Sequence, residues 1–313
     1  IFLILFSIIF VQELEVQGDL KVTGNIQAGT IDSLQQVIAQ HQQKISTLEI
    51  LMNYLIQNLN IPYDCNATYG GTALLDINED CCEESVIDVC NVCDGDNSTC
   101  LTATDIDGNI YATVQIGEQN WMKQNLKVTH YNDGSEISTG YTNEDWTYID
   151  IGGYGVYNDD PYNKDVYGNL YNWYAINDER GVCPDGWHIP SNNEWLELVN
   201  HLDEDSNYSE EYIGSISQTA GADLKEVGDT HWTSSSNTGN NESGFTALPG
   251  GARNGNYNGT GYWQLGDGGC FLSITEFSQN TSEAYFYELD YGSTVRQQTR
   301  GKPYGQSVRC IQD

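Results

Sequence analysis

The chain is poor in positive charge: 12 Lys and Arg stand against 45 Asp and Glu in 313 residues, a formal net charge of −33. So few cations cannot neutralise a phosphate backbone, which excludes nucleic acid as a partner. Long apolar runs are missing as well. Ile1 to Phe10 (IFLILFSIIF) is too short to cross a bilayer, and no other stretch is apolar enough, so no transmembrane segment is expected. The run has the length of a signal-peptide h-region, without an initiator Met or a basic n-region. Residues 1–12 therefore read as a truncated signal peptide cleaved near Val11 to Glu13, or as an apolar N-terminal strand that docks into a neighbouring subunit. Spaced catalytic motifs are also lacking: His130, His188, His201 and His231 are scattered, none lies in HExxH, and no catalytic residue or metal ligand is assigned.

What is present is Gly (32), Tyr (21) and abundant Asn, Ser and Thr, with nine cysteines. Six of the nine fall between Cys65 and Cys100, a density that an oxidising compartment permits. An exported protein at the cell surface or outside the cell is the expectation.

Residues 13–30 carry a short strand repeat, V-x-G-x-L/I, at Val16 to Leu20 and again at Val22 to Ile26. So short a strand pair is not stable alone and needs copies of itself. Residues 31–60 explain where the copies come from. Ile31, Leu34, Ile38, His41, Ile45, Leu48, Met52, Leu55 and Leu59 alternate in steps of 3 and 4, the a/d register of a parallel coiled coil. Its length would be ~43 Å at ~1.5 Å per residue. Lys44 at g faces Glu49 at the following e, which suits a parallel homo-oligomer. Ile at a with Leu at d suits two strands, while apolar Val37, Leu51 and Ile56 widen the seam and tilt the count toward a trimer. His41 in the seam is a register-setting polar layer or a pH-sensitive ion site on the axis.

Residues 61–101 form a Cys-rich linker holding Cys65, Cys81, Cys82, Cys90, Cys93 and Cys100. Six thiols allow 15 pairings and spacing does not choose among them. Zinc would need a second spaced ligand pair, and Cys81-Cys82 is adjacent, so disulfides are expected. VCNVCDGDNSTC (Val89 to Cys100) resembles the disulfide-held repeats of secreted multidomain proteins. Asp94, Asp96 and Asn97 lack the closing Glu of an EF-hand loop, so no cofactor is expected beyond weak calcium binding.

From about residue 102 cysteines thin out to Cys183, Cys270 and Cys310, and Tyr and Trp increase. TDIDGNIYATVQIGEQNWM (Thr104 to Met122) reads as a hairpin turning at Asp107-Gly108, with Ile110, Ala112, Val114 and Ile116 alternating along its strand. Ser191 and Glu194 make a capping box before a helix whose apolar stripe is Trp195, Leu198, Val199 and Leu202; a shorter helix is expected over Gly221 to Val227. Short strands and Gly/Asn loops, notably Ser234 to Ser243 and Arg253 to Gly269, make up the rest, so residues 102–313 are expected to be α+β with two short helices, many short strands and long loops.

Four blocks, YGNLYNWYAI (Tyr167 to Ile176), GVCPDGWHIPSNNEW (Gly181 to Trp195), GFTALPGGARN (Gly244 to Asn254) and YGQSVRCIQD (Tyr304 to Asp313), resemble the signature of the Fibrobacter succinogenes major paralogous domain over residues 104–313, about two thirds of the chain. The resemblance implies a C-type-lectin-like fold related to formylglycine-generating enzymes, with a disulfide between Cys183 and Cys310. Cys270 is then left over. Those enzymes use two close cysteines for copper and oxidation, and Cys270 lacks such a neighbour, so a buried thiol or an intermolecular bridge is the plainer reading.

Binding fits better than catalysis. Sugar sites combine aromatic faces with planar amide and carboxylate groups, and Asn254, Asn256, Tyr257, Asn258, Tyr262, Trp263 and Asp267 supply both; the competing reading makes Tyr262 and Trp263 core strand residues. The EPN, QPD and WND signatures of calcium-dependent lectins are absent. Asn66, Asn97, Asn207, Asn241, Asn258 and Asn280 stand in glycosylation sequons, which arise easily by chance in such a composition. The sequence reads as a non-catalytic, exported, oligomeric stalk presenting a lectin-like adhesion domain with a glycan or surface ligand. A subunit of an extracellular fibre is the first alternative and a formylglycine-generating-enzyme-like oxidase the second.

Overall fold

The computed structural model describes residues 100–313 except 207, 234–238, 256–260 and 291, together with 41–42, 44–45, 73–75, 81–83, 87–88, 90 and 92–96. The chain divides into two units, Ile1–Thr72 and Ala73–Asp313. In the first, His41, Gln42, Lys44 and Ile45 are helical and exposed. The other seam positions, Ile31, Leu34, Ile38, Leu48, Met52, Leu55 and Leu59, lie outside the described residues, as do the strand repeat and the apolar run before it. No helix among the described residues is long and apolar enough to cross a membrane.

The second unit opens on a hairpin of β1 (Ala73–Leu75) and β2 (Cys81–Glu83), with Leu74 opposite Cys82. Cys82 bonds Cys93 and Cys90 bonds Cys100, so the two loops interlock and the Cys90-x-x-Cys93 pair is split between them. Cys81 is also disulfide-bonded, and Cys65 lies outside the described residues. Asp88 holds the turn between the two bonds: its Oδ1 accepts from the backbone N–H groups of Cys90 and Val92, each at 2.9 Å.

After residue 101 the chain runs through β3 (Thr102–Thr104), β4 (Ile110–Ile116), β5 (Gln119–Met122), α1 (Asn143–Thr147), β6 (Tyr154–Gly155), α2 (Pro161–Tyr167), β7 (Leu170–Tyr171), α3 (Trp173–Ile176), β8 (Trp187–His188) and α4 (Asn192–Leu202). It continues through β9 (Gly214–Ser217), α5 (Ala220–Leu224), β10 (Gly250–Arg253), β11 (Tyr262–Leu265), β12 (Gly269–Glu276), β13 (Glu283–Leu289), β14 (Val295–Gly301) and β15 (Ile311–Gln312). Two larger sheets result: a five-stranded one in the order β3-β4-β5-β15-β8 and a six-stranded one in the order β11-β10-β12-β13-β14-β9.

Asp105 organises the first hairpin. Its Oδ1 accepts from the N–H groups of Asp107 and Asn109, and its Oδ2 from Asn109 Nδ2 and the Tyr111 hydroxyl, at 2.7 to 3.0 Å. The carboxylate is thus spent on turn geometry, as the Asx side chains of turns commonly are. Helix α4 begins with a capping box in which Ser191 Oγ accepts from Glu194 N–H while Glu194 Oε2 accepts from Ser191 N–H. The buried face of α4 lays Trp195 flat against Tyr287 of β13, with ring centroids 4.9 Å apart, and this cluster extends to Trp121, Phe245 and Phe271.

Three expectations need correction. Five α-helices, not two, are present among the described residues of this domain. The three additional ones are single turns or little more, each started by a side-chain cap from Thr142, Asp160 (followed by Pro161) or Asn172, in segments whose Asn and Asp content reads as loop. The expected helix over Gly221 to Val227 ends at Leu224, because Lys225 turns extended to bring its ammonium into the core. The expected loop from Arg253 to Gly269 in fact holds a paired strand: β11 runs antiparallel to β10, with Ala252 opposite Trp263.

Candidate site on the open face of the six-stranded sheet

Registry in the large sheet sorts its side chains into two faces. Cys270 lies opposite Glu288, Leu272 opposite Phe286, Glu288 opposite Arg296, and Phe286 opposite Gln298; Ala252 is opposite Trp263. Tyr287, on the alternate face, meets α4. The face turned away from α4 therefore gathers Trp263, Cys270, Phe286, Glu288, Gln298 and Arg300, because successive residues of a strand point to opposite sides.

These groups are tied to one another. The Arg300 guanidinium lies 4.4 Å from the Phe286 ring, 5.2 Å from Trp263 and 5.8 Å from Tyr304. Trp263 meets Tyr304 edge to face at 5.8 Å, and the Tyr304 hydroxyl accepts from Asn254 Nδ2 at 2.9 Å. Glu288 accepts from Gln298 Nε2 at 2.7 Å and from Gln264 Nε2 at 3.2 Å, with Arg300 Nη2 at 3.9 Å. Gln264 holds this position with φ +63, a left-handed conformation that costs a non-glycine residue ~1 to 3 kcal/mol and is typical of functional sites. Trp263, Tyr304, Arg300, Gln298 and Asn254 are all partly exposed, so an aromatic ring, a guanidinium and amides are displayed together.

The residues proposed from sequence are divided by this geometry. Asn254 and Trp263 belong to the cluster. Tyr262 is a buried strand residue facing the other way, against Tyr157 at 5.0 Å and hydrogen-bonded to Asp159. Asp267 accepts from Thr233 Oγ1 at 2.5 Å. Asn256, Tyr257 and Asn258 lie outside the described residues. Sequence reasoning missed Gln264, Glu288, Gln298, Arg300 and Tyr304. A usable signal was the period-2 run Arg296-x-Gln298-x-Arg300, which places two of the chain's few cations on one face of a strand.

The thiol at this face is not poised to react. Cys270 is fully buried, and burial pushes its thiol up to about 12, so it carries a proton at neutral pH. It is the free cysteine among the described residues, 3.7 Å from Gln264 Oε1. Among the described residues no group of three or more His, Cys, Asp or Glu side chains is placed to hold a metal ion. Of the sequon asparagines, Asn241 donates Nδ2 to Thr246 and Asn280 donates it to Glu283, while Asn66, Asn97, Asn207 and Asn258 lie outside the described residues.

His188 is structural in geometry. Nε2 lies 2.7 Å from Glu194 Oε1 and Nδ1 lies 2.7 Å from Asp313 Oδ1, an arrangement in which both nitrogens donate only as imidazolium. Burial pulls its pKa down, but the hydrogen bonds and charges of the two carboxylates outweigh that and raise it; Glu194 is correspondingly lowered, the Ser191 and His188 contacts outweighing its burial. Because the folded pKa of His188 is raised, its contribution is complete below about pH 6.5 and is lost as pH rises through the folded value. That of Glu194 is present above about pH 4.3 and is lost as pH falls through its lowered value. His188→Gln should therefore flatten the decline of stability above about pH 6.5, measured by urea unfolding from pH 6 to 9. An unchanged slope would count against the ion pair.

Comparison with curated proteins and with solved structures finds no match. The model of one family, the Fibrobacter succinogenes major domain, matches residues 114–312, which contain both the capping-box helix and every residue of the sheet-face cluster. The chain belongs to the Fibrobacter succinogenes major domain family.

Proposed function

We propose that this is an exported, non-catalytic surface protein in which a C-type-lectin-like domain acts as a recognition or adhesion head on a parallel, trimeric coiled-coil stalk. The observation that carries the reading is the partly exposed group on this sheet face, where Trp263, Tyr304, Arg300, Gln298 and Asn254 offer ring surface, a guanidinium and amides, with Trp263, Gln298 and Arg300 fixed by strand pairing and Asn254 bonded to Tyr304. Such a combination suits a saccharide, whose C–H faces pack on rings while its hydroxyls donate to and accept from planar polar groups. Interlocked disulfides between the stalk and the head are the chemistry of an oxidising compartment. The heptad of Ile, Leu and Met from residue 31 to 59 supplies the oligomer.

The test is a glycan array probed with the full chain and with Trp263→Ala. Binding by the native chain, reduced at least roughly ten-fold in the variant as loss of an aromatic anchor gives, is the expected result. An array with no signal, or one indifferent to Trp263→Ala, removes the sheet face as the recognition surface. Sedimentation of the same material should report three chains.

A further inference from the structure

A second feature, on the side of the sheet where α4 packs, carries an inference of its own. Asn193, Glu197 and Asn200 recur along one face of α4 at helical spacing, and with Leu196 they floor a groove of about 890 Å³ whose other wall is the segment from Tyr208 to Glu211. Tyr208, on that wall, meets Tyr212 with ring centroids 4.5 Å apart and planes tilted by 34°, and each ring is 38% exposed. Paired rings facing solvent gain little for the fold from where they stand.

Yet the fold spends buried polar groups to fix them. Gln297 and Asn192, both fully buried, reach out to this segment: Gln297 Nε2 donates to the carbonyls of Glu210 and Tyr212 at 2.8 and 2.7 Å, and Asn192 Nδ2 donates to that of Glu210 at 2.7 Å. The Tyr287 hydroxyl lies 2.7 Å from Asn192 Oδ1 and 3.1 Å from Gln297 Oε1, so the amides are themselves oriented from the core. A backbone bond from Tyr212 N–H to Ser209 closes the turn. Gly214, at φ +143, leaves room for the Tyr212 ring, whose hydroxyl lies 2.9 Å from where a Cβ would stand. A buried hydrogen-bond network is costly unless complete, and this one is built around the backbone that presents the tyrosines. In the groove itself Asn200 Oδ1 is buried, and no donor among the described residues reaches it.

We infer that this groove is a second saccharide site, selective for neutral sugars. The tyrosine pair offers ring faces to C–H bonds; Asn193, Asn200 and Ser209 offer groups that donate and accept, as hydroxyls require. Glu197, Glu210 and Glu211 accept further hydroxyls and, within a chain of net charge −33, repel uronic and sialic acids. A lysine-rich peptide would use the carboxylates, and the cationic arm of the experiment tells it from a sugar. The site is independent of the sheet face and does not rest on that reading.

The experiment uses the full chain, saturation-transfer NMR and titration with cellobiose, maltose, lactose and diacetylchitobiose, with glucuronic acid and trilysine as the anionic and cationic arms. At least one neutral disaccharide should bind and glucuronic acid should not. Tyr208→Ala/Tyr212→Ala should weaken that binding at least roughly ten-fold, and Asn200→Ala roughly five-fold, both with native melting. Binding indifferent to these variants but lost in Trp263→Ala overturns the groove and retains the sheet face. Loss in the tyrosine variant alone retains the groove and removes the sheet face, and attenuation in each retains both. Binding of trilysine in place of sugar, or of nothing, overturns the groove.

Discussion

Replacing the Cys183–Cys310 pair by serine should destabilise the domain by about 4 to 5 kcal/mol. The bond joins residues 127 apart with Cα atoms 6.0 Å from each other, and closing a loop of that length removes denatured-state entropy worth ~4 to 5 kcal/mol in the chain-entropy model. Both sulfurs sit in the core cluster with Leu126, Val182 and Val308, so the effect is not offset by surface relaxation. For a domain of this size ~1 kcal/mol corresponds to ~2 to 4 °C, giving a fall in Tm of roughly 10 to 20 °C. Differential scanning calorimetry of Cys183→Ser/Cys310→Ser is preferable to reduction, because Cys82–Cys93 and Cys90–Cys100 would open as well. A fall of less than about 3 °C would mean that the denatured chain is already compact without the bond.

Arg309→Met is expected to be as damaging, for a different reason. The guanidinium is fully buried and pairs with no carboxylate among the described residues; it donates to Asn125 Oδ1 and to the carbonyls of Met122, Phe245 and Thr246, and its Cζ lies 4.5 Å from the Phe245 ring centroid. It thereby ties β5, the segment at 245–246 and the segment leading into β15. Methionine matches the volume but leaves these buried acceptors without donors, at ~1 to 3 kcal/mol each where they cannot be resolvated. A loss of roughly 4 kcal/mol or more is expected, read as a lower urea midpoint at unchanged m. Lysine keeps a charge but not the fork, and should recover only part. A methionine variant within about 1 kcal/mol of native would show that the carbonyls find other donors.

These two sites were unequally visible beforehand. The cysteine pairing was carried by resemblance of the sequence blocks, while Arg309, inside YGQSVRCIQD, gives no local hint that it is buried. Capping chemistry is local, so Ser191 and Glu194 located α4 to the residue. The helices α1, α2 and α3 are too short to show a period, and tertiary packing of Trp146, Asn163 and Trp173 decides them. Trp263 was singled out both as a loop residue of a binding site and as a core strand residue; the glycines and asparagines around it obscure the four residues that pair, and pairing in β11 decides for the strand. The tyrosine groove escaped altogether: its organisers, Asn192 and Gln297, are more than a hundred residues apart and meet only in the folded chain.

The long-range cystine also governs how the head would bear a pulling load. Stretched from β3 to its last residue, the domain can lengthen only through residues 102–183 and 310–313, because tension passes directly across the bond. Some 127 residues, a contour length of about 430 Å at ~3.4 Å each, stay slack inside the covalent ring. Both α4 with its groove and the strands bearing Trp263 and Arg300 lie in that shielded stretch, so a pulling force would reach the hairpin of β3 and β4 well before the two surfaces proposed for sugar binding.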